Sequence, residues 1–106
     1  MSDAPATQVT VAAPGHVVVS SPLTFATARR ACAAGIECFT RDGSSQIVVD
    51  CAGASRADSA GLAVLIEWRR WATQHGRHLT FANLPVQISA IAHLSEVTAV
   101  LADAAA

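Results

Sequence analysis

At 106 residues and a net charge of −1, the chain has room for one domain built around one core. Its 7 basic residues are all arginine, and no basic stripe interleaved with aromatics occurs, so a nucleic-acid partner has little electrostatic basis. Although 52% of residues are hydrophobic, no apolar run reaches the roughly 18 residues that a membrane-spanning helix needs.

Residues 1–8 lack both a basic start and an apolar centre, so they do not read as a signal peptide, and the expected location is cytoplasmic. Thr7 to Ala13, with Val9, Thr10 and Val11, reads as a weak first strand. Pro14-Gly15 signals a turn, and His16 to Ser20 reads as a second strand, completing a hairpin. Ser20 to Thr24 breaks the strand, and either Thr24 or Thr27 could cap the next helix. Phe25 to about Phe39 reads as that helix, with an apolar row of Phe25, Ala28, Cys32, Ile36 and Phe39. Arg41 to Ser45 is expected to be a loop.

Gln46 to Cys51 reads as a strand, and its unbroken centre Ile47-Val48-Val49 suits a central position covered on both sides. Ala52 to Asp58 is a polar loop. Ser59 to His75 is expected as a second helix, with Gly76 as its stop. His78 to Ala82 alternates like a strand, Asn83-Leu84-Pro85 turns the chain, and Val86 to about Leu94 reads as a third helix. Glu96 to Leu101 fits a short strand or a helical turn, and Ala102 to Ala106 a frayed tail, leaving an ordered core of about residues 8–101. The order β-β-α-β-α-β-α predicts a single α/β domain. Its sheet should be small and mixed, of four or five strands, with helices packed mainly on one face.

Cys32, Cys38 and Cys51 lack paired spacing and are expected to be reduced and buried. No closely spaced ligand pairs mark a metal site, and no cofactor is implied. The pairs Arg29-Arg30 and Arg69-Arg70 read as solvated turns of helices.

The second helix carries more apolar surface than one domain usually hides. At 100° per residue, Gly61, Leu65, Trp68 and Ala72 share a stripe beside Leu62, while Val64, Trp71 and Ile66 widen it to roughly 220°. Part of that surface, including Val64, Trp68 and Trp71, is therefore expected to be exposed and to meet another chain.

The junction Asp58-Ser59-Ala60-Gly61 opens this helix. Asp58 or Ser59 can cap it, Gly61 lets another backbone come close, and Ala60 leaves the approach clear. Ser59 has no base assignable from spacing and sits in no G-x-S-x-G elbow, and no phosphate-binding glycine loop occurs, so no enzymatic activity is expected. As a phosphate acceptor Ser59 would add negative charge beside a positive helix end, with Arg56 at hand as counter-ion and Asp58 opposing it.

Ile47 to Asp50 with Asp58 to Leu65 resembles the central motif of STAS domains, the fold of anti-sigma-factor antagonists and sulfate-transporter tails. A closer resemblance is to the MlaB-like group, the cytoplasmic STAS subunits of bacterial phospholipid-transporting ABC complexes. Pro22 to Thr27, Ser55 to Ala63, Trp71 to Leu79 and Asn83 to Pro85 carry it; Ser21 stands where many relatives have glycine. The resemblance implies a non-catalytic subunit that binds and supports the transporter's ATPase through the tetrad and the start of the second helix. That ATPase would hold it at the inner face of the cytoplasmic membrane, serving outer-membrane lipid asymmetry. It also implies an alternative, an anti-sigma-factor antagonist switched by a partner kinase at Ser59.

Overall fold

A computed structural model describes residues 9–94, in the order β1 (Val9–Ala13), β2 (His16–Val19), α1 (Ala28–Asp42), β3 (Gln46–Asp50), α2 (Ser59–Gln74), β4 (His78–Ala82) and α3 (Val86–Leu94). The expectations for Glu96 to Leu101 and for both tails lie outside these residues. The four strands form one mixed sheet in the order β1-β2-β3-β4. β1 and β2 pair antiparallel, with Val9 opposite Val19, while β2–β3 and β3–β4 are parallel. The expected α/β architecture and element order are therefore those of the molecule.

The hairpin turns where Gly15 adopts φ 73°, a conformation that side chains disfavour. Its N–H donates to the Asp42 carboxylate (3.0 Å), which ties the turn to the last residue of α1. Val17 and Val19 of β2, Ile47 and Val49 of β3, and Leu79 of β4 are buried and alternate with half-buried or exposed neighbours. α1 packs on β1 and β2, and α2 on β4. Val48, expected to be covered on both sides, is only half-buried. Its apolar run reflects a central strand, β2 to one side and β4 to the other, rather than helices on both faces.

α1 begins at Ala28, three residues after the expected start, and runs on to Asp42. The shift has a local cause. The Thr27 hydroxyl donates to the Pro22 carbonyl (2.6 Å) and accepts from the Thr24 N–H (3.0 Å), winding residues 24–27 into a turn. At the other end Gly43, with φ 74°, returns its N–H to the Phe39 carbonyl, so Arg41 and Asp42 belong to the helix rather than to a loop. The buried row of α1 is Ala31, Gly35, Cys38 and Phe39; most of the expected row, Ala28, Cys32 and Ile36, is only half-buried, and Phe25 is 86% exposed.

The expected surplus on α2 is not there. Val64 (4% exposed) and Trp68 (0%) are buried and Trp71 is half-buried, so these three residues form no exposed apolar face. The reason is position: α2 lies between α1 and α3 and rests on the sheet, so its wide apolar arc is covered from several sides by its own domain. Trp68 lies where α1 has Gly35; a Cβ there would collide with the indole. Its Nε1–H donates to the Cys32 carbonyl (3.1 Å), and its ring meets Phe39 edge-on at 5.6 Å. Trp71 tilts against Phe39, stacks on His75 at 4.3 Å, and receives the Arg77 guanidinium over its face at 5.4 Å.

Candidate functional site

The two loops that leave β2 and β3 run side by side and deliver the N-terminal ends of α1 and α2 to one place. Leu23 N–H donates to the Arg56 carbonyl (2.8 Å), and Asp58 N–H donates to the Leu23 carbonyl (3.1 Å), a short parallel bridge. Gly61 packs against this bridge so closely that any Cβ would collide with the Leu23 carbonyl. The glycine of the tetrad is thus required by a contact inside the domain.

Asp58 is the N-cap of α2, and its carboxylate also holds the turn that precedes α1. Its Oδ1 accepts from the N–H groups of Ala60 (2.9 Å) and Gly61 (3.2 Å), and its Oδ2 accepts from Phe25 N–H (3.0 Å). The Phe25 N–H first, then those of Gly61 and Ala60, hold the carboxyl below the usual carboxylate range, so Asp58 is anionic at neutral pH. With the cap taken by Asp58, Ser59 is left as the exposed first residue of α2. Arg56, three residues earlier, is also exposed.

From this tip an open, mainly apolar groove of about 620 Å³ runs between α1 and α2. Phe25 stands at its head, Cys32 and Ile36 line the α1 side, and Ala60, Ala63 and Val64 line the α2 side. The lining offers apolar surface, an exposed aromatic and two charged groups, Arg29 and Glu67. Burial first, and the nearby Glu67 carboxylate second, push the Cys32 thiol up, which makes it a poor nucleophile at neutral pH. Among the described residues, no cluster of three or more His, Cys, Asp or Glu could hold a metal ion.

A family model, described as an MlaB STAS domain, matches residues 7–102. The chain belongs to the MlaB-type STAS family. Comparison of this STAS domain with curated proteins returned no match.

Of the residues singled out in the sequence, the structure gathers Arg56, Asp58, Ser59, Ala60 and Gly61 at the STAS tip, with Val64 in the wall of the groove. Trp68 and Trp71 stand apart, one sealed over Gly35 and the other against Phe39. Sequence reasoning missed Phe25 as a surface residue. The signal was present as an apolar row on α1, but periodicity alone does not tell a row that faces the core from one that lines a groove.

No helix among the described residues is long and apolar enough to cross a membrane.

Proposed function

We propose that this STAS domain is a non-catalytic subunit that binds the ATPase of a bacterial phospholipid-transporting ABC complex. It would support that ATPase at the inner face of the cytoplasmic membrane, in the service of outer-membrane lipid asymmetry. The family match supports a protein partner of this kind. The observation that carries the reading is the tip itself: Ser59 is exposed, Phe25 is 86% exposed, and one aspartate bonds the backbone N–H groups of Phe25 and Ala60. An exposed aromatic beside a small-residue helix start has the composition of a binding hot spot, because its ring offers a large apolar area to bury on docking.

Co-expression with the host's phospholipid-transport ATPase tests the reading. The unmodified chain should retain the ATPase through purification. Ser59→Asp should weaken the complex about tenfold or more, because it carries a charge into a surface that is desolvated on binding. Its thermal midpoint should stay unchanged, since Ser59 is not the cap. Failure to retain the ATPase, together with phosphate incorporated at Ser59 by a host kinase and partner release on phosphorylation, would establish the anti-sigma antagonist instead.

A further inference from the structure

The groove between α1 and α2 restricts what can fill it. Its walls run from Ala28 to Ile36 on one helix and from Ala60 to Glu67 on the other, each about 10–12 Å at 1.5 Å per residue. That is roughly two turns of a third helix. Both walls are helices whose backbone groups are bonded internally, so they offer no ladder to an extended strand. A peptide entering in extended form would bring unpaired N–H and C=O groups against apolar side chains. A helix satisfies its own backbone and needs only an apolar stripe on one face.

Charge orders the two ends. Arg29 lines the groove near Phe25, where the N-termini of α1 and α2 also lie; Glu67 lines it at the far end. α1 and α2 run in the same general direction, since each follows one of two parallel strands and Asp58 ties the start of α2 to the turn before α1. The tip end therefore sets Arg29 and the exposed Arg56 against the one capping carboxylate of Asp58, whereas the far end carries the Glu67 carboxylate. A docking helix is favoured when its negative C-terminal end lies at the tip and its positive N-terminal end lies by Glu67. Glu67 pairs with Arg70 at 3.2 Å, but both side chains are largely exposed, and such a pair exchanges partners at little cost.

We propose that the groove receives one amphipathic helix of the partner. This helix lies antiparallel to α1 and α2, with its apolar stripe against Phe25, Ile36 and Ala63, an acidic group facing Arg29 and a basic group facing Glu67. The proposal rests on the docking reading above and names the element that docks. Small side chains at Ala60 and Ala63 let the partner's backbone come close, and Phe25 supplies the aromatic anchor.

Cys32 provides a native reporter, because it lines the groove half-buried whereas Cys38 and Cys51 are buried in the core. In the purified complex of the full chain with the ATPase, modification of Cys32 by N-ethylmaleimide at about pH 8.5 should slow at least tenfold relative to the free chain. Phe25→Ala should weaken the complex tenfold or more with an unchanged thermal midpoint, and Arg29→Glu and Glu67→Arg should each weaken it. A photo-crosslinking residue at position 29 should capture a partner residue C-terminal, within the same helix, to the one captured from position 67. If the ATPase is retained while Cys32 reacts at its free rate and Phe25→Ala binds normally, the groove proposal is overturned and the docking reading stands. Cross-links in the opposite order, or in separate partner segments, overturn the single antiparallel helix. Loss of the ATPase from the unmodified chain overturns both.

Discussion

Asp58 joins the start of α2 to the distant turn that precedes α1 by sharing one carboxylate among the N–H groups of Phe25, Ala60 and Gly61. Asn in its place keeps one acceptor oxygen but turns the other into a donor, which cannot accept from a backbone N–H. Asp58→Asn should therefore cost about 0.5–1.5 kcal/mol at neutral pH, the net worth of one lost hydrogen bond. The depressed pKa sets the pH dependence. Folding favours the ionised carboxyl, so its contribution is fully present above the unfolded value of about 4 and is lost as pH falls through the lower folded value. Urea unfolding from pH 7 to pH 2 should show the wild-type advantage over Asp58→Asn shrinking on the acid side. Part of the acid limb should survive in the variant. Asp42, held down by Ser44 and then by Gly15, and Asp50, held down by Ala52 and then by Asn83, titrate in the same sense.

Among the elements, the α1–α2 contact depends on one missing side chain. Gly35 is buried in mid-helix, where alanine would be favoured by about 1 kcal/mol on propensity alone. A methyl group there meets the Trp68 ring, which is fully buried and anchored by its bond to the Cys32 carbonyl. Gly35→Ala should lower stability in spite of the propensity gain, by about 1–3 kcal/mol, as overpacking does. The checks are a lower midpoint in urea and a changed tryptophan emission as the indole is displaced. The same contact explains why α2's apolar arc misleads. A helix flanked by two others has three covered sides, and an arc of roughly 220° is what such a position requires. The frame of α1 was hidden for a related reason. The Thr27 hydroxyl bonds back to Pro22, and this turn removes Phe25 from the helix although its spacing fits the row.

At the scale of the whole molecule, a single core collects residues from the sheet and all three helices. It places the thiols in two classes. Cys51 is 1% exposed, and burial pushes it up to about 12, with Asp50 adding to the effect; Cys38 is 2% exposed. Thiol titration of the folded chain should find one accessible group, Cys32, and release the other two at the global unfolding rate. Two fast thiols would mean that the packing of α1 on β1 opens independently.

The pattern of turns, caps and periodicity was enough to determine seven elements in order, the hairpin at Gly15 and the helix start at the Asp58–Gly61 junction, because these depend on interactions within a few residues. Tertiary structure alone decided which apolar surface remains open. Burial of a side chain depends on what lies across from it, and the neighbours of Phe25, Trp68 and Trp71 come from other elements. Thus an arc on α2 that looked exposed closed over the core, and a row on α1 that looked like core became the wall of a groove.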